Sequence, residues 1–350
     1  MKLRYPLILA VSLASLYILG RQFNWADLDG ALQRMNLWYL LPGAVCYLMA
    51  ILARALRWQV MVKPIRFVGL WPLFQYVTLG FMTNNLLPAR LGEVVRAYVT
   101  GKKENTSRSA MFASIVLERI FDGLTIVLLL ILTLFFNAMR HPLLLHLAWA
   151  SSAFFVFGFL FLLLLTYRRT LALSLAQRVL FFLPQPLRVK AGHILGKFVQ
   201  GLVLLHHPRA FVKVLLLSFV VWMAELSVYL CFNYAFPMVQ VGLPVIIIAL
   251  VFVNLSSMLP ALPANALVFQ VACSQALVIF GHVPESPAVL YSVILHATQI
   301  FPMIILGYVF MGFLGLTWRE IRSVEIEDSE NRVTVVSFGG EVDHGPEEPR

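Results

Sequence analysis

Glu118 and Asp122 stand four residues apart in the otherwise apolar run LERIFDGLTIVLLL, with Arg119 between them. On a helix two carboxylates at that spacing face one way, and the intervening arginine points about 100° aside. Counted from a helix start near Ser109 at 1.5 Å per residue, both acids lie roughly 14–20 Å along, close to the middle of a bilayer. A charge left alone there costs on the order of 3 kcal/mol, so partners are required. Two chemistries fit. In one, Glu118 and Asp122 clamp the chain by neutralising Arg90 or Arg54; in the other, a proton held on one of the two carboxylates couples transport to a proton gradient.

Just upstream, Asn84, Asn85 and Pro88 interrupt an apolar run, and Arg90, Glu93 and Arg96 follow at once. Arginine binds phosphate through a planar fork and keeps its charge at depth. A half-helix starting after Pro88 would also present open N–H groups, a ready anion site. The plainer reading pairs Arg96 with Glu93, three residues before it on the same face. Arg54, in ARALRW, either lines the same path or reaches its stem out past the lipid tails, as Arg57 beside Trp58 is expected to do. Glu225, mid-span in VVWMAELSVYL, is a further ionisable candidate facing the bundle. His296 and Gln299 are candidates to line the same cavity. His206 and His207 lack the companions of a metal site, and no phosphate-binding glycine loop or nucleophile elbow is present, so no metal, cofactor or enzyme activity is expected.

These residues need a scaffold, and composition names its class. Of 350 residues, 60% are hydrophobic and 13% charged, and the mean hydropathy is +0.83, well outside the range of soluble domains. The expectation is an all-α polytopic membrane protein. A net charge of +10 then reports topology and contact with anionic headgroups rather than nucleic acid. Cys46, Cys231 and Cys273 form no C-x-x-C pair and read as membrane-buried thiols.

Full spans are expected at 5–20, 37–60, 109–136, 143–166, 210–236 and 287–316, the first as an uncleaved helix with a cytoplasmic N-terminus. Residues 167–209 have the composition of an amphipathic cytoplasmic connection. Segment 68–101 cannot cross without placing Arg90, Arg96, Lys102, Lys103 and Arg108 outside. A re-entrant element, dipping in and breaking at 84–88, removes that conflict. Segment 243–282, bent at Leu259-Pro260-Ala261-Leu262-Pro263, is too long for one helix and is expected to re-enter from the outer face. Of 27 Lys and Arg, only Arg21, Arg34 and Arg140 then lie outside and Arg119 within the membrane. Six spans and two oppositely oriented re-entrant elements result, both termini being cytoplasmic. Both elements carry Asn and then Leu-Pro-Ala, the trace expected of an inverted repeat, and transporters place their sites where such breaks meet.

The wording NLLPARLGEVVRA over 85–97, LERIFDG over 117–123 and RALRW over 54–58 resembles the flippase-like transmembrane family named after lysylphosphatidylglycerol synthase. The likeness runs over about residues 5–318, leaving 319–350 as a charged tail expected to be disordered. It implies a membrane domain that moves lipid between leaflets, without the aminoacyl transferase domain, so lipid synthesis is not implied. The second half departs from the pattern. Where such proteins carry Pro-Gly-Gly-x-Gly and then Glu, this chain has Pro263-Ala264-Asn265-Ala266-Leu267 and then Gln270.

The substrate-binding set expected from residues and resemblance is therefore Arg54, Asn84, Asn85, Pro88, Arg90, Glu93, Arg96, Asn254, Pro260, Pro263 and Gln270. Glu118, Arg119, Asp122 and Glu225 form the charge-coupling set. The expected function is transport or flipping of an anionic phospholipid or lipid-linked intermediate in an inner membrane. The alternative is a non-transporting lipid-binding subunit that regulates or scaffolds an envelope enzyme. A partner enzyme or a second copy of the chain stays open.

Overall fold

The structure, a computed structural model, describes residues 33–87, 91–137, 141–168, 194, 196–257 and 263–321. The expected first span and the acidic tail lie outside these residues, as do most of the 167–209 connection, Arg21 and Arg140. Among the described residues the secondary structure is helical throughout. In chain order the helices are α1 (Leu40–Val62), α2 (Leu70–Leu86), α3 (Gly92–Lys103), α4 (Arg108–Asn137), α5 (Pro142–Tyr167), α6 (Pro208–Ala235), α7 (Leu243–Ser256), α8 (Val268–Gly281) and α9 (Glu285–Phe313). Four helical segments, at 37–62 and in α5, α6 and α9, are long and apolar enough to cross a membrane. With 30 residues, α4 spans about 45 Å and has the length to do the same. By contrast α2, α3, α7 and α8 have 17, 12, 14 and 14 residues, each short of the ~30 Å hydrocarbon core.

The local breaks follow from particular residues. Leu87 is extended, at φ −107° and ψ 145°, because a residue before proline is pushed out of the helical region, and α2 stops there. The chain resumes as α3 at Gly92, whose N–H donates to Asn84 Oδ1 at 2.8 Å. Asn84 thus ends one arm and caps the other. The arms approach so closely that a side chain on Gly92 would enter the Gly80 carbonyl. In the second half Pro244 opens α7 in its first turn, where the missing N–H costs nothing. Asn254 does not bridge: its Nδ2 donates to Leu250 O in its own helix, at 2.8 Å. The two matching sequence segments therefore close their breaks differently.

Packing relates the halves by exchange. Helices α1 and α6 form the most extensive pair; α2 packs on α9 and α7 packs on α4, while α3 packs on α4 and α8 on α9. Each half is thus a long helix, a two-armed broken element and another long helix, with α5 outside the correspondence. The α1–α6 seam includes the backbone bond Asn36 N to Ala235 O at 2.8 Å, and Cys231 and Cys46 neighbour each other across it. Oxidation of the detergent-purified chain with copper phenanthroline is expected to join Cys46 to Cys231. Peptide mass spectrometry checks it, and a linkage through Cys273, which is fully buried, would contradict the seam.

Beyond α9, Thr317 and Glu320 form a reciprocal cap: Thr317 N–H donates to Glu320 Oε2 at 3.0 Å and Glu320 N–H to Thr317 Oγ1 at 3.3 Å. The Thr317 N–H and then Lys102 Nζ, 3.2 Å away, hold the exposed Glu320 carboxyl below its ordinary range. Lys103 Nζ donates to Leu314 O at 2.7 Å. The end of α9 is thereby fastened to the end of α3.

Candidate functional site

Four helices bring charge to one place. Arg54 and Arg57 sit one turn apart on α1; Glu118, Arg119 and Asp122 come from α4; Glu93 and Arg96 from α3; and α6 supplies Ser218, Trp222 and Glu225 at i, i+4 and i+7, a single stripe. Arg57 is fully buried. Its Nη1 donates to Asp122 Oδ1 at 2.6 Å and to Ser218 Oγ at 2.9 Å, and its Nη2 lies 3.2 Å from Glu118 Oε1. Arg96 Nη2 donates to Glu118 Oε2 at 2.9 Å, with its guanidinium 3.6 Å from the Trp58 ring centroid, a desolvated cation–π arrangement.

Arg54 joins the other end. Its Nη2 donates to Glu225 Oε1 at 2.8 Å and its Nη1 lies 3.5 Å from Asp122 Oδ2. Trp222 Nε1 donates to Asp122 Oδ1 at 3.2 Å. Arg119 Nη2 reaches Glu118 Oε1 at 2.9 Å and Asp122 Oδ2 at 3.1 Å, and its Nε lies 3.8 Å from Glu93 Oε1. Four arginines and four carboxylates so balance in a largely buried network. Such a network is held only by its completeness, because removing one member strands the others away from water.

One side of the network is the wall of a cavity of about 180 Å³, far above the ~15 Å³ that one water needs. Arg54, Arg119, Asp122 and Glu225 face it. So do Asn84, Asn85 and Leu87 at the end of α2, Asn254 and Ser257 at the end of α7, Ala264 and Asn265 in the following turn, and His296 and Gln299 of α9. Both breaks therefore open on the same space, and its aromatic walls are Tyr47, Phe81, Phe155, Trp222, Tyr229 and Phe269.

Of the residues expected from sequence, Arg54, Asn84, Asn85, Arg119, Asp122, Glu225 and Asn254 line this cavity, together with His296 and Gln299. Glu93, Arg96 and Glu118 stand behind its wall, within the network. Gln270 is also one layer back: its Nε2 lies 3.0 Å from His296 Nδ1, and the His296 ring stacks on Phe269 with centroids 4.0 Å apart. Pro263 begins the turn beside the cavity, while Pro88, Arg90 and Pro260 lie outside the described residues.

Three expectations change. Arg57, read as reaching outward at a membrane boundary, is instead buried at the centre of the network, and Arg54 is turned inward to Glu225. Arg96 bonds Glu118 rather than pairing with Glu93 on its own helix. Glu118 neutralises Arg57 and Arg96, leaving Arg54 to Asp122 and Glu225. Sequence reasoning also passed over Trp222 and Ser218, whose spacing from Glu225 marked the same face, and Asn265.

The altered stretch of the second half keeps an unusual backbone. Ala264, Asn265 and Leu267 have φ of +59°, +52° and +69°, at the three positions where the resemblance places glycine. Left-handed backbone costs a residue with a Cβ on the order of 1 kcal/mol or more. Leu267→Gly is therefore expected to raise the melting temperature in detergent by a few degrees; an unchanged or lowered value would show that its side-chain packing outweighs the strain.

Over residues 7–307 the chain matches the family described as the lysylphosphatidylglycerol synthase TM region. A UPF0104 membrane protein of Methanothermobacter thermautotrophicus is 25% identical over 282 residues, 76% of this chain and 82% of the relative. Another UPF0104 membrane protein, from Pyrococcus horikoshii, is 27% identical over 124 residues, 33% of this chain and 37% of its own. No solved structure matches. The chain is a multi-pass membrane protein and belongs to the lysylphosphatidylglycerol synthase transmembrane-region family.

Proposed function

We propose that the chain moves an anionic phospholipid or lipid-linked intermediate between the leaflets of an inner membrane. In this reading α2–α3 and α7–α8 are the two re-entrant elements of an inverted repeat, and both termini are cytoplasmic. The observation that carries it is the cavity onto which both breaks open, with Arg54 and Arg119 in its wall. A headgroup crossing hydrocarbon needs such a polar way station, because each unpaired polar group there costs several kcal/mol. Irregular backbone at membrane depth is tolerated where it lines a cavity of this kind.

Charge balance favours the clamp reading of Glu118 and Asp122. Both acids face several guanidiniums, so the network is neutral with both ionised and needs no shared proton. The test is reconstitution into vesicles with fluorescent lipid confined to one leaflet, read by quencher accessibility. Accelerated loss of protected label is expected. No movement above protein-free vesicles, for any anionic lipid and with a proton gradient imposed, would overturn the reading; lipid that copurifies without moving would point to a non-transporting lipid-binding subunit.

A further inference from the structure

Resting on the lipid-transport reading, we infer that the cavity seats a neutral polyhydroxyl moiety, a sugar or polyol, carried by the lipid headgroup. The charges in its wall are already matched: Arg54 to Glu225 and Asp122, Arg119 to Asp122 and Glu118. A bare phosphate entering here would meet the Asp122 and Glu225 carboxylates beside each guanidinium, and an ammonium would meet the guanidiniums beside each carboxylate. A hydroxyl avoids both conflicts, since it donates to a carboxylate lone pair and accepts from an N–H without changing the charge.

The remaining polar lining suits the same chemistry. Asn84 uses its oxygen on Gly92 and Asn254 uses its amide nitrogen on Leu250. Asn84 is left with donors and Asn254 with an acceptor. Asn85, Asn265 and Gln299 add complete carboxamides at the same surface. Carboxamides offer donor and acceptor side by side, the complement of vicinal hydroxyls, whereas phosphate uses donors alone. Trp222 and Phe81, with the Arg54 guanidinium 5.3 and 5.7 Å from their ring centroids, add aromatic surface to the same wall.

The test uses the full chain in vesicles with acyl-labelled phosphatidylglycerol, phosphatidylinositol, phosphatidylethanolamine and phosphatidic acid, with lipid retention followed by native mass spectrometry. The glycerol and inositol lipids are expected to move, or to be retained, at least tenfold in preference to the other two. Gln299→Met and Asn254→Leu, checked for unchanged melting, are expected to bring that ratio towards one. Equal handling of phosphatidic acid or phosphatidylethanolamine would overturn the inference, as would a preference surviving both substitutions. Selective retention without movement would uphold it while removing the transport reading; neither retention nor movement of any lipid would remove both.

Discussion

Glu118→Gln is expected to cost about 3–5 kcal/mol of stability, the magnitude for breaking a buried ion pair by removing one partner. Glu118 is fully buried and meets Arg57, Arg96 and Arg119 at 3.2, 2.9 and 2.9 Å. The amide is nearly isosteric but neutral, and its NH₂ group adds a donor among groups that only donate. Arg57 is fully buried and Arg96 nearly so, and neither recovers its solvation in place. Denaturant or thermal unfolding in detergent reads the effect. Adding Arg96→Met to Glu118→Gln restores the charge balance, and a coupling of about 1–3 kcal/mol is expected in the double-mutant cycle. A Glu118→Gln protein that melts normally yet moves no lipid would instead assign the carboxylate to proton coupling.

Gly92→Ala is expected to disrupt the first broken element and to lower lipid movement more than tenfold. The added methyl meets the backbone carbonyl of Gly80 and, at 2.7 Å, the Asn84 Oδ1 that caps α3. The first obstacle is backbone, and the second is held in place by its bond to the Gly92 N–H, so relief requires the arms to separate. Overpacking of this kind costs about 1–3 kcal/mol where side chains yield, and here the backbone must move. Separation would break the Asn84–Gly92 bond and shift Arg96, on the second turn of α3, away from Glu118. Gly312→Ala is the matched control: nothing lies within 4 Å of its added methyl, and loss of helix-interior glycine is expected to leave stability unchanged or raise it by up to about 1 kcal/mol. Equal behaviour of the two variants would show that the close approach of α2 and α3 is dispensable.

Much of the architecture is legible in the chain because its causes are local. The apolar runs at 143–166 and 210–236 become Pro142–Tyr167 and Pro208–Ala235 because twenty or more apolar residues satisfy their backbone only as a helix. Pro88 stops α2 through the residue before it, and α2 and α7 end at Leu86 and Ser256, next to the breaks expected at 84–88 and 259–263. Membrane class follows from composition alone. The paired Glu118 and Asp122 announce buried charge through the expense of their position.

Partner choice is not local. Arg57 meets an acid 65 residues away and Arg54 one 171 residues away, and no spacing rule links α1 to α6. For that reason Arg57 beside Trp58 reads as a boundary residue until α6 covers it. The i, i+3 rule favours Glu93 for Arg96, yet the packing of α3 on α4 presents Glu118 in a drier place, where an unpaired charge would cost more. Sequence by itself determined the membrane class, most of the helices, where two of them stop and the acids Glu118, Asp122 and Glu225 that need partners, because hydropathy and proline act within a turn or two of chain. Only the tertiary structure decided which charges neutralise one another and that both breaks open on one cavity. Those depend on helix faces brought together across the whole chain, where desolvation selects among partners that sequence leaves equivalent.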